Sequence, residues 1–359
     1  MIIGLIREAH DPRVALTPTN LAKLAVNGLS FIVEKNAGER AFFPDEDYAA
    51  HARIVDRDTL LKEADVVVSI HPLPTGSYRE GSVAIALFQP FADAEIANAL
   101  RSGKVTGFSL DMIPRTTLAQ AMDVLSSMAG IAGYEAVLIG AGTLSRYVPM
   151  MVTAAGTVKP AKALILGAGV AGLQAIATCR RLGAAVEAFD TRQAAKEEVQ
   201  SLGAKFVEVE GAADDRGAGG YAVAQSEEFL TRQRAEVQAR AAKADLIICT
   251  AQVRGRKAPV LITADTVAQM RPGSVIVDLA ASTGGNCELT ENDKTVVKHG
   301  VTIVGDSNLA ARMPQDASVL FGNNVTNFLK LLITKDGSLQ TDFNNEIVKG
   351  SCITRTEGQ

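Results

Sequence analysis

The sequence predicts an α/β chain of two domains, each a parallel sheet layered with helices. Short apolar runs alternate with helical patterns through most of the chain, which favours parallel strands joined by crossovers. One of these runs leads straight into a glycine-rich turn, Gly167-Ala168-Gly169-Val170-Ala171-Gly172, and a helical pattern follows it. With 359 residues there is enough chain for two domains of ordinary size, each with its own core. The expected division is 1–127 with 312–359, and 128–311.

The first domain is expected to open with a strand at residues 2–6. Thr17 and Pro18 then start a helix, since proline suits the first helical position. A strand at 29–33, a turn at Gly38, an acidic helix near Asp45, a helix at 58–63 and a strand at 64–70 come next. Strands at 82–88 and 105–110 flank a helix at 93–100. No glycine-rich phosphate loop occurs in these first ~110 residues.

Apolar and small residues recur at helical spacing over 128–148, bridging to the second domain, and the longest weakly polar run, 124–144, reads as a buried helix. No stretch is expected to reach the ~20 apolar residues of a membrane span. Strands are expected at 163–166, 186–189, 205–209, 245–250, 274–279 and 301–304. Helices at 170–182, 194–202, 226–243 and 263–270 separate most of them. Six strands around one glycine turn make a doubly wound sheet of order 3-2-1-4-5-6, the Rossmann arrangement. The four-glycine stretch from Gly211 to Tyr221 reads as a mobile loop. A helix at 316–333 and a tail of short polar and β-prone pieces return to the first domain.

The glycine spacing is GxGxxG, and each position has a physical task. Gly167 permits the tight turn out of the strand, Gly169 lets a pyrophosphate approach the backbone, and Gly172 brings the helix close to the sheet. The helix start adds unpaired N–H groups and a partial positive charge. Asp190 ends the next strand, where a carboxylate accepts from the adenosine ribose hydroxyls and favours NAD over NADP. Two alternatives stand beside this: Asp190 as a cap for a helix over 191–199, and Arg192 as a partner for a 2′-phosphate.

Hydrophobic residues make up 47% and charged residues 21%, the balance of a compact soluble protein, and a formal net charge of −4 gives no reason to expect nucleic acid or anionic lipid as a partner. Cys179, Cys249, Cys287 and Cys352 lack ligand spacing and read as small apolar residues in a reducing compartment. His10, His51, His71 and His299 show no paired spacing, so no metal is expected.

The chemistry is expected at the carboxyl ends of the strands and between the domains. In the second domain those ends carry Gly167, Asp190, Thr250 to Gln252, and Asp278 to Gly285. In the first, Arg115, Gln120, Asp123 and Ser126 stand in a polar run from Pro114 to Ser127. Arg115 and Asp123 are suited to a charge-assisted pair, with an amide or hydroxyl nearby to hold a nicotinamide carboxamide. An ordinary surface turn with capping residues fits the same composition.

Several motifs together resemble one family. They are RVALTP (Arg13 to Pro18), PRxxxAQxMDxLSS (Pro114 to Ser127), AGY (Ala132 to Tyr134), the run from Met151 to Ala177, FDTR (Phe189 to Arg192), GSVIVDLA (Gly273 to Ala280) and GGNC (Gly284 to Cys287). The chain is similar to the NAD(H)-binding component of the proton-translocating NAD(P) transhydrogenases over nearly its whole length. The resemblance implies that Gly167, Ala168, Gly169, Val170, Ala171, Gly172, Asp190, Thr191, Arg192 and Gln252 hold NAD(H). It gives Arg115, Asp123 and Ser126 the nicotinamide, and Gln120 the NADP(H) bound on a partner beta subunit. Tyr221 belongs to a loop that closes over NAD(H). The implied assembly is a homodimer on the cytoplasmic face of the inner membrane, attached through membrane-spanning subunits.

Alanine dehydrogenase resembles the chain too. Of the groups that relative uses to handle an amino acid, Arg13 is retained, while His71, Gln89 and Ser282 stand near the places of its lysine, histidine and acid. Oxidising an amino acid needs a group that takes a proton as hydride leaves. Passing hydride between two nicotinamides needs only close approach, orientation and a dry contact.

Overall fold

Each of the two sheets organises one unit of the chain. The structure is a computed structural model and describes residues 1–26, 28–209, 226–253 and 255–355. The first unit is Met1–Met128 with Ala310–Gln359, and the second is Ala129–Leu309.

In the first unit the chain runs β1 (Ile2–Leu5), α1 (Pro18–Leu24), β2 (Ser30–Glu34), α2 (Asp45–Ala49), β3 (Arg53–Val55), α3 (Arg57–Glu63), β4 (Val66–Val68), β5 (Val83–Ala86), α4 (Ile96–Ser102) and β6 (Thr106–Ser109). All six strands are parallel, in the order β3-β2-β1-β4-β5-β6. The α/β reading holds. Strand β3 is an addition to it, because three half-exposed residues carry too little apolar signal to mark a strand.

A long helix, α5 (Val124–Thr143), follows and runs on into the second unit. It matches the weakly polar run expected at 124–144 and stops short of the bridging pattern that extends to 148. By length and composition it is long and apolar enough to cross a membrane, with only 33% of its most apolar window buried. The expectation that no stretch reaches the length of a membrane span is corrected accordingly, and the helix is half-buried, with Leu138, Gly142 and Thr143 exposed. Its glycines explain the fit on one side: a Cβ at Gly133 would lie 2.1 Å from the Ala171 carbonyl oxygen, and one at Gly140 would lie 2.6 Å from Leu246.

The second unit begins with a hairpin, β7 (Met151–Thr153) and β8 (Gly156–Val158). Then come β9 (Lys162–Leu166), α6 (Val170–Arg181), β10 (Ala185–Phe189), α7 (Ala195–Ser201), β11 (Lys205–Phe206), α8 (Glu227–Ala241), β12 (Leu246–Cys249), α9 (Ala264–Gln269), β13 (Val275–Asp278), β14 (Thr295–Lys298) and β15 (Val301–Val304). Among the described residues the large sheet runs β11-β10-β9-β12-β13-β15-β14. The expected 3-2-1-4-5-6 order is present, with β15 in the sixth place. An extra strand, β14, adds antiparallel at the edge. His299 and Gly300, both at positive φ, make the two-residue hairpin turn that folds it back. A histidine at the first of those positions gives no turn signal in the sequence.

The chain ends with α10 (Pro314–Leu332) and α11 (Glu346–Ser351), both in the first unit. Phe321, Val325, Phe328, Leu329 and Leu332 recur at helical spacing and are buried, so α10 presents one apolar face to that unit's core. Phe328 meets Phe108 edge-to-face at 5.7 Å. The tail's expected β-prone pieces include α11 instead, started by Asn345, whose side chain accepts from the Ile347 amide at 2.9 Å.

A charge cluster, buried except for the half-exposed His71, closes the carboxyl ends of β1 and β4. Asp11 takes Arg13 Nε at 2.9 Å and Nη2 at 2.5 Å, and its Oδ2 lies 3.0 Å from His71 Nε2. Glu8 accepts from the Ile70 amide at 2.6 Å. These partners hold the Asp11 carboxyl far below its usual range despite burial, and the bond to Asp11 raises His71. Burial raises Glu8.

A group raised by folding contributes stability that is complete below its unfolded pKa and lost as pH rises through the folded one. For His71 the reference value is 6.5. The stability gap between wild type and His71→Gln should therefore be widest below about pH 6.5 and shrink at higher pH. Denaturant midpoints measured across a pH series test this, and a pH-independent gap would contradict it.

Candidate functional site

The glycine turn is built by close approach. Gly167 leaves β9 at φ +99°, and its amide donates to the Phe189 carbonyl at 2.8 Å. A Cβ on Gly172 would sit 1.9 Å from the Gly167 oxygen, so only glycine lets α6 start this near the sheet. The Thr250 hydroxyl contacts the Leu166 and Gly167 carbonyls at 3.2 and 3.1 Å from the floor of the turn. Gly169 is different: a Cβ there would meet nothing within 4 Å. It opens α6 without a side-chain cap, leaving the first amides of that helix without intrahelical acceptors.

Asp190 follows β10 and ties the turn to it. Its Oδ2 accepts the Ala168 amide at 2.7 Å, and its Oδ1 accepts the Arg192 amide at 2.8 Å. The Arg192 guanidinium closes on the same carboxylate, Nε at 3.0 Å and Nη2 at 3.0 Å. The alternative of Asp190 capping a helix over 191–199 is not met, since α7 starts only at Ala195 and the carboxylate closes a short turn. Thr191 is exposed beside it.

At the ends of β12 and β13 stands a residue that the sequence motifs alone do not single out. Asn286 accepts the Ala251 amide at 3.0 Å and donates to the Ala251 and Pro259 carbonyls, both at 2.8 Å. Asp278, fully buried, holds the amides of Asn286 and Cys287 at 2.7 and 3.0 Å and the Thr290 hydroxyl at 2.7 Å. The available signal is a polar residue inside GGNC, directly after a double glycine. Gln252 is exposed and its amide donates to the Leu279 carbonyl at 2.6 Å. Burial pushes the Cys287 thiol up to about 11 and Cys179 to about 12, which keeps both protonated at neutral pH.

In the first unit the polar run from Pro114 behaves partly as an ordinary capped turn. Asp123 precedes α5, where its carboxylate takes the Ser126 amide at 2.9 Å and the Ser126 hydroxyl at 2.6 Å. The expected Arg115–Asp123 pair is not formed. Helix capping satisfies the carboxylate locally, and Arg115 stays exposed with no ion pair among the described residues. Buried Ala119 and Met122 anchor the segment, and Asn324 and Asn327 of α10 donate to the Ala121 carbonyl at 2.9 and 3.1 Å. Gln120 points outward beside Leu118, which is 85% exposed. Tyr221 lies outside the described residues. No metal-binding group of His, Cys, Asp and Glu occurs among the described residues.

The family model "Alanine dehydrogenase/PNT, N-terminal domain" matches residues 4–132, and "Alanine dehydrogenase/PNT, C-terminal domain" matches 136–359. The chain is 43% identical to an NAD(P) transhydrogenase alpha-subunit polypeptide of Rhodospirillum rubrum, over 97% of this chain and 94% of the relative. A solved transhydrogenase from Sinorhizobium meliloti superposes with a TM-score of 0.85 at 39% identity, covering 99% of this chain and 97% of the other. Alanine dehydrogenase of Bacillus subtilis is more distant, 28% identical over 99% of this chain and 91% of its own. Matches this long place both units in one lineage, and the chain belongs to the alanine dehydrogenase/PNT family, among its NAD(P) transhydrogenase alpha subunits.

Proposed function

We propose that the protein is the NAD(H)-binding component of a proton-translocating NAD(P) transhydrogenase. It takes NADH as substrate and passes hydride directly, C4 to C4, to NADP⁺ held on a partner beta subunit. The observation that carries this reading is the bare surface at Gly169, set between unpaired helix-start amides and the Asp190 carboxylate. A pyrophosphate fits the first and a ribose diol the second.

Each residue then has one task. The amides of Gly169, Val170, Ala171 and Gly172 receive the pyrophosphate over Gly167 and Ala168. Asp190 accepts from the adenosine ribose, with Thr191 alongside. Arg192 is already paired with Asp190, which supports NAD over NADP because the guanidinium is neutralised by the carboxylate. Gln252 lines the nicotinamide end, Arg115, Asp123 and Ser126 orient the carboxamide, and Gln120 reaches the NADP(H) of the partner. By the same resemblance, Tyr221 is assigned a contact with the bound NAD(H). Membrane-spanning subunits complete the machine and couple it to protons, and the component works as a homodimer at the cytoplasmic face of the inner membrane.

The alternative is an alanine-dehydrogenase-like amino-acid oxidation. It needs a cation free to meet a substrate carboxylate. Arg13 is 5% exposed and already carries the Asp11 carboxylate, so that requirement is poorly served.

Transfer from NADH to an NADP⁺ analogue, assayed with and without the NADP(H)-binding partner, tests the proposal. Exchange should require the partner; robust NAD⁺ reduction by alanine without it would replace the proposal with the alternative. Asp190→Ala should weaken NADH binding by about 10- to 100-fold, the worth of charge-assisted hydrogen bonds, and should shift preference toward NADPH by removing the carboxylate that a 2′-phosphate would meet. Calorimetry with both nucleotides checks it, and unchanged affinity for NADH would contradict the role. Gln120→Ala should slow exchange more than it weakens NADH binding. Equal losses in the two measurements would remove Gln120 from the hydride contact.

A further inference from the structure

The first sheet repeats the acid of the second in register. Leu166 pairs with Phe189, the next residue is Asp190, and its carboxylate takes the amide of Ala168, two residues past Leu166. Leu5 pairs with Val33, the next residue is Glu34, and its carboxylate takes the amide of Arg7, two residues past Leu5, at 2.9 Å. Arg192 closes on Asp190; Arg57 closes on Glu34 with Nε at 3.1 Å and Nη2 at 2.9 Å. The two carboxylates are buried alike, with side chains 9% and 8% exposed.

The connection after the strand is what differs. No glycine turn follows β1. Instead Arg40 braces that connection, its Nη2 bonded to the Glu8 and Asp11 carbonyls at 2.5 Å each. In front of Glu34 lies an open, charge-lined cavity of about 630 Å³ bordered by Arg7, Asn36, Glu39, Arg40 and Arg57. Arg40 Nε and Nη1 hold no hydrogen bond among the described residues, and the Arg7 guanidinium has only a 3.9 Å approach to Glu34. Glu8 also borders the cavity, but its carboxylate is bonded to the Ile70 and His71 amides. That leaves Glu39 as the exposed acid opposing two guanidinium groups with open donors.

We propose that this cavity binds a nucleoside monophosphate, with the ribose on Glu34 and the phosphate on Arg7 and Arg40. Where backbone amides of a glycine turn are missing, side chains must supply the positive charge, and guanidinium groups match phosphate oxygens in geometry. The ribose half rests on the reading of Asp190 given above. The phosphate half rests on the first unit alone.

Calorimetry of AMP, adenosine and inorganic phosphate binding to the full chain, with NADH at saturation, is the test. One AMP per chain should bind, and Arg7→Gln and Arg40→Gln should each weaken it at least about tenfold, the scale of a lost charge-assisted contact. NADH affinity should be unchanged in both variants. Because Arg40 also braces a loop, Arg7→Gln carries the test if Arg40→Gln does not fold. AMP binding that survives Asp190→Ala but falls in Arg7→Gln assigns the site to the first unit whatever becomes of the NADH reading. AMP that fails to bind beside NADH, or that ignores Arg7→Gln, overturns the proposal. Inorganic phosphate binding as tightly as AMP overturns it as well, since Glu34 would then recognise no ribose.

Discussion

One short distance governs the second unit: the first turn of α6 must pass the carbonyl of Gly167 with no side chain between them. Any Cβ at residue 172 would lie 1.9 Å from that oxygen. The same turn is confined by α5, where Gly133 lets the Ala171 carbonyl approach. With both contacts fixed, the open side of the turn is at Gly169, where a Cβ would meet nothing within 4 Å. Glycine costs conformational entropy at each of these positions, about 0.5–1 kcal/mol relative to alanine in a helix interior. The geometry it permits has no substitute among L-residues with a side chain.

That geometry is legible in the sequence because its parts are contiguous. A strand, a turn, a helix and an acid arrive within one βαβ length, and the chemistry of each residue is nearly decided by its neighbours. The role of Asn286 is not legible. Its partners are Ala251 and Pro259, 35 and 27 residues away, and its place in GGNC marks the residue without saying what it holds. The Arg115–Asp123 pair fails for the opposite reason: Asp123 has a better partner three residues on, in Ser126 at the start of α5. Strand β14 carries no signal of its own because its half-exposed residues form a strand only through pairing with β15. The apolar composition of the long helix α5 suggests burial, and composition does not say how much of a helix finds partners.

Internal neutralisation runs through both units. Asp190 carries Arg192, Asp11 carries Arg13 and His71, Asp123 carries Ser126, and Asp278 is closed by three donors besides the Ala280 amide. Each of these carboxylates is balanced by fixed donors, so none stands as an unpartnered base. Such a set suits a reaction in which hydride moves without a proton at the same step. It would serve badly for removing a proton from an amino group, which needs a base within open reach of the substrate.

The shared register of Asp190 and Glu34 has a structural cause that precedes any ligand. At the switch point of a doubly wound sheet, the first strand ends where its neighbours diverge, and the amide two residues on has lost its ladder partner. A carboxylate one residue beyond the paired position on the second strand reaches that amide, and an arginine then balances the buried charge. Both units solve the same problem with the same pair of residue types. On the two proposals, what each site would bind depends on what stands in front of the acid: a bare glycine beside helix-start amides in one unit, two guanidinium groups with open donors in the other. The acid fixes where a ligand would lie; the facing groups fix its charge.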